Sequence, residues 1–380
     1  MKIGIDIRVL ARGVRTGVEE YVINLLSHLF LIESEIQYKL FYNAYRKNEL
    51  SFEWPLRRNV ELKNFKIPNR LFFVSARYFN QPKIDRLLGG VDAYFNPHFF
   101  GAPVSSRCRK IMTVHDLSFE YFPEFFSWRK RLWQKFLMRT KKEARSADKI
   151  IAVSQSTKSD LVNLYGINEE KISVIYSGVG EQFQPISFEQ NQPPAAGDIK
   201  RKYNLPSDFI LYFGAIEPRK NIVGLINAFE VLREKHRIKL VVAGDKGWLY
   251  RDIFKTAKES KYRNDIVFTG FIEEKDKPCL YALAKLFVYP SFFEGFGFPP
   301  LEAMAGGVPT IVSNSSSLPE VVGESALMID PNNIDELSWA MEMALTDSEL
   351  RKYLIKKGIE QAKKFSWDEC AKKTLAVLKQ

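Results

Sequence analysis

Residues 289–307 constrain the fold of this chain more than any other stretch. They begin at the end of an apolar run, Leu286–Tyr289, which predicts a short buried strand. The loop that follows contains Gly295 and Gly297, which allow the backbone to turn through positive φ or to approach a ligand closely. A double proline comes next and suits a first helical turn, because proline donates no main-chain hydrogen bond. The stretch therefore predicts a strand, a glycine loop and a helix over residues 301–305 in succession.

Two glutamates bracket this loop and suggest what it binds. Glu294 precedes the first glycine, and Glu302 falls in the predicted first helical turn. In an open α/β fold both lie at the carboxyl edge of a parallel sheet, beside a helix N-terminus that attracts anions. Because a carboxylate accepts two hydroxyl hydrogen bonds at once, the pair suits a polyol such as a sugar or a ribose. Two glutamates that face water on a surface loop are the alternative, and the commoner interpretation of this spacing by itself.

The same order of elements opens the chain. Residues 2–7 predict a strand, residues 8–16 a loop, and apolar residues at helical spacing predict a helix that begins near Gly17. A glycine at a helix start lets a phosphate or a hexose approach the backbone. A plain turn glycine is the other interpretation of this position.

His115 stands at the end of another predicted strand. The strand over 110–114 leads directly into His115 and Asp116. The chain has only four histidines, so one at the carboxyl end of a central strand points to a site, although a lone histidine is more often structural. The other elements predicted in this half are strands over 36–42, 60–67, 92–96, 149–153 and 172–176 and a helix that starts at Ser154 or Ser156 and ends at Tyr165.

A basic loop joins a strand and a helix in the C-terminal half. Residues 209–213 predict the strand and residues 221–234 the helix, with Arg219 and Lys220 between them. Arginine grips a phosphate with two parallel hydrogen bonds, and lysine adds a point charge. Asn221 is a good helix N-cap. An ordinary basic loop with a helix cap is the alternative.

The alternation of strands and helices predicts the α/β class with two domains. The chain of 380 residues exceeds what one compact core usually holds, and a proline-rich stretch over 185–198 is the best boundary. We therefore expect an N-terminal Rossmann-like domain over 1–185 and a C-terminal one over 186–365. The remaining elements are predicted as strands over 238–243, 266–269, 309–312 and 327–329 and helices over 335–345, 349–364 and 367–378.

The composition limits the partners and the compartment. A net charge of +11 and a pI near 9.3 indicate an anionic partner, which leaves nucleic acid, a lipid surface and a phosphorylated substrate open. Three widely spaced cysteines predict a reducing compartment without disulfides, and no pair has the spacing of a metal site. The first residues already predict a strand and the apolar runs are short, so we expect neither a secretion signal nor a membrane span.

Two segments, 57–86 and 127–145, combine basic and aromatic residues. The second predicts one continuous basic helix. Rings that alternate with cations suit an anionic membrane surface or a pyrophosphate. A solvated basic face over an ordinary core is equally compatible with both segments.

Three motifs together resemble one family. The Glu-x7-Glu pair of Glu294 and Glu302, the His-Asp pair at His115 and the Pro-Arg-Lys loop that ends at Lys220 are similar to the signatures of retaining GT-B glycosyltransferases of family 4. The likeness extends over almost the whole chain. It implies two Rossmann-like domains that face each other across a cleft, with the last helix, in 366–380, packed on the N-terminal domain. It also implies transfer of a sugar from a nucleotide diphosphate sugar with retained anomeric configuration.

The resemblance assigns a role to each motif. It places His115 near the donor hexose and puts Gly17 beside the donor sugar, at a position where the family often has two adjacent glycines. It sets Arg219 and Lys220 against the diphosphate, and the chain lacks an Asp-x-Asp triplet, so we expect these cations to take the place of a metal. The other expected contacts are Glu294 with hexose hydroxyls, Glu302 with the ribose, the backbone of Gly270, Phe271 and Ile272 with the nucleobase, and the amides around Phe296, Gly297 and Phe298 with the leaving diphosphate.

Two local sequences, Glu-Pro-Arg-Lys-Asn and His-Asp-Leu-Ser-Phe, look most like those of polysaccharide and O-antigen mannosyltransferases. They imply GDP-mannose as donor and a glycan or lipid-linked glycan acceptor. We expect no other cofactor and, since the Asp-x-Asp triplet is missing, no metal. A lipid-linked acceptor and the net charge together predict a cytoplasmic enzyme, peripheral at the inner face of the cell membrane. Transfer of glucose, galactose or rhamnose stays open.

Two other classes of protein compete with this interpretation. A nucleotide-sugar epimerase of the same fold is the alternative enzyme, and it would release the nucleotide diphosphate without an acceptor. A nucleic-acid-binding protein would also explain the charge. It would need neither glutamate, so we expect no nucleic acid partner.

Overall fold

The computed structural model describes residues 1–13, 16–44, 54–186 and 196–380, without the side chains of Pro55, Lys135 and Leu137. The chain divides into two compact units. The first unit comprises Met1–Leu117, Trp128–Gly178 and Ser366–Gln380, and the second unit comprises Ser118–Ser127 and Val179–Phe365.

The division between the units differs from the predicted boundary at 185–198. It falls after Gly178, and the segment 118–127 groups with the second unit although its sequence neighbours belong to the first. Most of the predicted linker, residues 187–195, lies outside the described residues. The end of that stretch, from Ala196, already begins a helix.

Each unit is built on one parallel sheet. Within the described ranges the first sheet has the strand order β3-β2-β1-β4-β5-β6-β7 and the second has β10-β9-β8-β11-β12-β13, where the strands are β1 Lys2–Asp6, β2 Gln37–Tyr42, β3 Val60–Asn64, β4 Ala93–Asn96, β5 Arg109–Val114, β6 Lys149–Ala152, β7 Ile172–Val174, β8 Phe209–Phe213, β9 Lys239–Ala243, β10 Ile266–Gly270, β11 Leu286–Tyr289, β12 Thr310–Ser313 and β13 Leu327–Ile329. The predicted α/β class, with two units on parallel sheets, is confirmed.

Helices connect the strands and cover the sheets. They are α1 Gly17–Ile32, α2 Asn69–Tyr78, α3 Ile84–Leu87, α4 Ser118–Tyr121, α5 Trp128–Trp133, α6 Thr140–Ser146, α7 Gln155–Tyr165, α8 Ala196–Lys202, α9 Ile222–Arg233, α10 Arg251–Glu259, α11 Lys277–Leu283, α12 Phe298–Ala305, α13 Leu318–Val322, α14 Ile334–Thr346, α15 Ser348–Ala362 and α16 Trp367–Lys379. Successive residues of a central strand, such as Ile210 and Leu211 of β8, are both fully buried. This is typical of a parallel sheet with helices on both faces, because side chains alternate between those faces.

The strand order reverses once in each sheet, between β1 and β4 and between β8 and β11. In doubly wound folds ligands bind outside the carboxyl ends of the strands at this switch point. In the second unit the loops at that point are residues 214–221, after β8, and residues 290–297, after β11. They contain the predicted basic loop and the glycine loop.

The last helix belongs to the first unit. α16 packs along α1, where the rings of Tyr21 and Trp367 lie 6.0 Å apart. The Arg109 guanidinium in β5 donates to the carbonyl of Leu378 at 3.0 Å. A Cβ on Gly178 would lie 2.2 Å from the backbone nitrogen of Trp367, so the close approach requires glycine there.

Two predicted helices are wrong in detail. The single basic helix over 127–145 is instead α5, one turn of π-helix over Gln134–Met138 and then α6, because Arg139 takes a left-handed backbone with φ 49° and interrupts the ladder. The helix predicted over 301–305 begins earlier, at Phe298. Glu302 therefore lies in the second turn of α12 and not in the first.

No helix among the described residues is both long enough and apolar enough to cross a bilayer.

Candidate active site

The loop after β8 carries the predicted basic residues. It ends in one turn of 3-10 helix, Pro218–Lys220, and in Asn221, which has a left-handed backbone with φ 55°. Asn221 is the N-cap residue of α9, as predicted, but its side chain makes no capping hydrogen bond and instead donates to the carbonyl of Pro331 at 2.6 Å. This hydrogen bond of the Asn221 side chain links the loop after β8 to the loop after β13.

Three charged side chains from the loops after β8 and β11 form one buried cluster. Glu294 accepts hydrogen bonds from Lys220 Nζ at 2.6 Å and from Arg219 Nη1 at 3.2 Å. Each side chain is at most 12% exposed. Burial alone would raise the pKa of Glu294, but the charges of Arg219 and Lys220 outweigh it and hold that pKa at about 2. The carboxylate is therefore ionised throughout the physiological pH range.

Two further residues complete this charged cluster, and the sequence analysis missed both. The Glu217 carboxylate accepts from Arg219 Nη2 at 2.9 Å and is 2% exposed. The Tyr289 hydroxyl accepts from Lys220 Nζ at 2.6 Å. Burial, together with the positive charge of Arg219, lowers the pKa of Lys220. The available signals were weak: a glutamate two residues before an arginine, and a tyrosine at the end of a strand that pairs with β8.

Two serines hold the glycine loop in place. The Glu294 N–H donates to Ser316 Oγ at 2.7 Å. Ser317 Oγ lies 3.0 Å and 2.8 Å from the carbonyl oxygens of Glu294 and Phe296, within donating distance of both. Gly297 has φ +115°, and a Cβ there would lie 2.8 Å from a leucine side chain of α13. The start of α12 at Phe298 therefore requires this glycine.

Glu302 is buried and makes different contacts from Glu294. It accepts a hydrogen bond from the Tyr281 hydroxyl at 2.7 Å and is 7% exposed. Burial raises its pKa, although the charge of Lys277 and the tyrosine hydrogen bond oppose that rise. The predicted pair of glutamates thus has two distinct environments, one beside two cations and one beside a phenol.

The segment predicted beside the nucleobase ends β10. Gly270 has φ +72°, with open space where a Cβ would lie. Its carbonyl accepts from the Gly244 N–H at 3.0 Å, and its neighbour Phe271 is 58% exposed while Ile272 is buried. An aromatic ring exposed at a sheet edge can stack on a planar base.

Gly17 and His115 lie in the first unit, and the other predicted site residues lie in the second. Gly17 is the first residue of α1, and Thr16 before it donates its N–H to the carboxylate of Glu19 at 3.1 Å. The rest of the predicted loop includes residues 14 and 15, which lie outside the described residues. The predicted helix start near Gly17 is therefore confirmed, and Thr16 and Glu19 form a capping box there that was not predicted.

His115 follows β5, and its ring is held in one orientation. Its Nε2 lies 2.9 Å from the carbonyl of Pro97, and because a carbonyl only accepts, that nitrogen carries the proton. The ring meets Tyr21 edge-on at 4.9 Å. Burial lowers the pKa of His115 to about 4, so the imidazole is neutral near pH 7 and offers Nδ1 as a hydrogen-bond acceptor.

A second buried ionic group, not predicted from the sequence, lies at the switch point of the first sheet. Asp6 accepts from Arg8 Nη2 at 2.6 Å and from the Tyr94 hydroxyl at 2.8 Å, and His98 Nε2 lies 3.0 Å from it. Arg8 Nη2 also donates to the carbonyl of Gly101 at 3.0 Å. The group fastens the loops after β1 and β4 to each other. In the sequence each member of this group stands between apolar residues. That pattern is typical of ordinary strands and does not indicate an ionic group.

Among the residues that the structure describes, no three His, Cys, Asp or Glu side chains are grouped as ligands for a metal ion.

Solved structures share this fold. Sucrose-phosphate synthase from Thermosynechococcus elongatus matches with a TM-score of 0.77 over 100% of this chain and 98% of that chain, at 20% identity. WaaG, a glycosyltransferase involved in lipopolysaccharide biosynthesis, matches with a TM-score of 0.73 over 100% and 99% of the two chains, at 14% identity. At these identities the likeness shows the fold alone, and it confirms the predicted GT-B class.

Sequence comparison identifies the family. Residues 15–183 match the model of Glycosyltransferase Family 4, and residues 197–361 match that of Glycosyl transferases group 1. O-antigen chain mannosyltransferase B of Escherichia coli is 35% identical over 291 residues, which are 75% of this chain and 74% of that relative. The serotype-specific mannosyltransferase WbdA of Escherichia coli is 37% identical over 243 residues, 63% of this chain but only 29% of that longer protein. This chain belongs to glycosyltransferase family 4, and the predicted family and class of enzyme are confirmed.

We expect Glu294→Gln to destabilise the second unit by about 3–5 kcal/mol, because it leaves two buried cations without their shared carboxylate. Urea unfolding at neutral pH measures this loss. Glu302→Gln is the matched control, since both glutamates are 7% exposed but Glu302 accepts its hydrogen bond from a neutral phenol. We expect the control to cost about 1 kcal/mol. Equal losses in the two variants would contradict the charge pairing.

The neutral state of His115 predicts a pH dependence of the stability of the first unit. The folded imidazole has its pKa lowered from 6.5 to about 4, so between these pH values the unfolded chain binds more protons. The free energy of unfolding should therefore decrease as the pH falls from about 6.5 towards 4. His115→Gln, which has no titrating ring, should lose less stability over the same interval. Parallel urea-unfolding curves for the two proteins at pH 7 and pH 4.5 make the comparison, and identical decreases would refute it.

Proposed function

We propose that this protein transfers mannose from GDP-mannose to a hydroxyl of a glycan or a lipid-linked glycan in polysaccharide or O-antigen synthesis, with retained anomeric configuration. Relatives at 35% and 37% identity are mannosyltransferases, one of them named for O-antigen chains. The observation that carries the proposal is the buried cluster of Arg219, Lys220 and Glu294 at the switch point of the second sheet. The charges of that cluster suit a nucleoside diphosphate.

Arg219 and Lys220 supply positive charge where the departing diphosphate gains negative charge. Arg219 donates its N–H to Glu217, and Lys220 donates to Glu294. When the nucleotide sugar binds, its phosphate oxygens would replace these carboxylate oxygens as hydrogen-bond acceptors. Fixed donors in a buried site stabilise a developing charge strongly, and the N-terminus of α12 adds to them. No metal is needed to balance the leaving group in this arrangement.

The proposed reaction takes place on one face of the sugar. The bond between the anomeric carbon and the phosphate oxygen breaks, and an ion pair of oxocarbenium and diphosphate forms. The acceptor hydroxyl attacks the face that the diphosphate leaves, and its proton passes to a diphosphate oxygen. The anomeric configuration is retained because both bonds lie on that face.

The remaining site residues bind the neutral parts of the donor. Glu294, once a phosphate competes for its cations, accepts hydrogen bonds from hexose hydroxyls. Glu302 keeps acceptor capacity beyond its bond from Tyr281 and suits the two ribose hydroxyls. The exposed ring of Phe271 offers a face to the guanine base. His115 acts as a neutral acceptor for a sugar hydroxyl through Nδ1.

Thermal shift and transfer assays test the proposed function. In a panel of GDP-mannose, UDP-glucose, UDP-galactose and dTDP-rhamnose, GDP-mannose should raise the melting temperature most.

Lys220→Met should lower kcat by about 10²–10³-fold, because it removes one hydrogen-bond donor to the diphosphate. Glu302→Gln should instead raise the KM for the donor, because it weakens a ribose contact. A larger shift with another donor, an inverted product, or release of GDP without an acceptor, as in an epimerase, would overturn the proposal.

We also propose that the first unit docks on an anionic membrane surface, which would bring it to a lipid-linked acceptor. α2 exposes Leu71, Val74 and Tyr78 by 65%, 51% and 70%, and the α5 region exposes Trp128 and Phe136 by 61% and 47%. Arg77 joins α2 to the π-helical turn after α5, since it donates to the carbonyl of Phe136 and its guanidinium carbon lies 5.7 Å from the ring centre of Phe136. We call this surface the α2–α5 face.

Charge favours a lipid partner for the α2–α5 face. Arg70, Arg129 and Arg131 are exposed on the same helices, and these arginines attract anionic headgroups while the rings enter the interface. The structure thus supports the membrane interpretation of segments 57–86 and 127–145 over a purely solvated basic face. We propose that this anionic membrane surface is the inner face of the cell membrane.

Co-sedimentation with vesicles tests this docking. We expect binding to vesicles of phosphatidylcholine and phosphatidylglycerol but not to vesicles of phosphatidylcholine alone, with affinity falling in high salt. Trp128→Ser should lower the bound fraction severalfold, because it removes an apolar anchor. Trp339→Ser is the matched control, since Trp339 on α14 is 59% exposed, close to the 61% of Trp128. Equal effects of the two substitutions would argue against docking through the α2–α5 face.

A further inference from the structure

The segment Ser118–Ser127 joins the second unit although its neighbours in sequence form the first. It contains α4 and a turn of 3-10 helix, Pro123–Phe125. Five of its ten residues are aromatic: Phe119, Tyr121, Phe122, Phe125 and Phe126. None of them has a part in the chemistry proposed above. We call this segment the aromatic strap.

On one side the aromatic strap packs on the loop after β11. The ring of Phe125 stacks on Phe292 at 5.4 Å, with an angle of 29° between the ring planes. The ring of Tyr121 stacks on Phe293 at 5.5 Å and 30°. Phe293 is the residue before Glu294, so these rings meet the backbone that carries the buried carboxylate.

On the other side the strap packs on the loop after β9. Phe126 stacks on Trp248 at 5.5 Å and 21°, and the indole N–H of Trp248 donates to the carbonyl of Phe125 at 2.5 Å. In the sheet, β9 and β11 are the two neighbours of β8. The strap therefore bridges the loops that flank the basic loop after β8.

Both contacted loops hold the basic loop directly. The Phe292 N–H donates to the carbonyl of Arg219 at 2.9 Å, and the Arg219 guanidinium donates to the carbonyl of Phe293. From the loop after β9, the Gly247 N–H donates to the carbonyl of Ile216 at 3.0 Å. A Cβ on Gly247 would lie 3.2 Å from that of Glu217, which shows how closely the two loops pack. Phe125 and Tyr121 thus stack on residues that hydrogen-bond to Arg219, and Phe126 stacks on the residue next to Gly247.

We propose that the aromatic strap is a positioning element for the site of the leaving diphosphate. Its rings hold the loops after β9 and β11 at a fixed separation, and these loops in turn fix the backbone of Glu217, Arg219 and Glu294. Without the rings the loops separate, and the cations no longer present their N–H groups in the geometry that a diphosphate needs. This inference rests on the proposed role of the cluster in transfer.

Hydrogen exchange of the full chain measures the positioning without any ligand. In Phe125→Ala and Tyr121→Ala the amides of 216–221 and 291–297 should exchange about fivefold faster or more, while those of 227–233 in α9 keep their rates. Tyr353→Ala is the matched control, because Tyr353 in the same unit is 45% exposed and Tyr121 is 44% exposed. Unchanged exchange in both strap variants, or equal acceleration in the control, would overturn the proposal.

Kinetics separate positioning from a general loss of stability. We expect kcat with GDP-mannose to fall about tenfold or more in Phe125→Ala, with a change in the donor KM of less than about threefold. Phe125→Leu restores the apolar contact and should recover most of kcat. If Lys220→Met transfers at the wild-type rate, the role of the cluster fails, and the strap's role fails with it. If Lys220→Met blocks transfer but Phe125→Ala does not, only the positioning inference fails.

Discussion

Two buried positive charges, on Arg219 and Lys220, determine how the loops of the second unit are arranged. A cation in a protein interior is strongly destabilising unless carboxylates or hydroxyls face it. Glu217, Glu294 and Tyr289 do so at distances of 2.6–3.2 Å. Glu217 lies in the loop after β8, Tyr289 ends β11 and Glu294 lies in the loop after β11, so the pairing also fixes those two loops to each other. Stability and the proposed binding of a diphosphate therefore depend on the same contacts.

The loop that carries Glu294 is held from several directions at once. Ser316 and Ser317 form hydrogen bonds with the backbone of Glu294, and Arg219 donates to the carbonyl of Phe293. The ring of Phe125 stacks on Phe292 in the same loop. A site held by backbone hydrogen bonds and packed rings needs little reorganisation when a charge develops in it. The buried Asp6 group gives the first unit a comparable fastening between its own central loops.

Sequence patterns predicted the strands well, because a buried parallel strand is a continuous apolar run, as in Phe209–Phe213. They failed where the backbone of one residue decides the outcome: the left-handed Arg139 divides a helix, and the left-handed Asn221 uses its amide elsewhere. Motifs pointed to Glu294 and Arg219 but not to their mutual pairing. Periodicity assigns a side chain to a face of a strand and does not say which side chain of the next strand it meets.

The return of α16 to the first unit has a consequence for synthesis on the ribosome. Residues 366–380 emerge only after the entire second unit has been translated, yet they cover α1, and Leu378 accepts a hydrogen bond from Arg109 of β5. Domains usually fold in order as the chain emerges. Here the surface of α1 that α16 contacts stays uncovered until residues 366–380 leave the exit tunnel. Chaperones and proteases can therefore reach α1 on the nascent chain until α16 covers it.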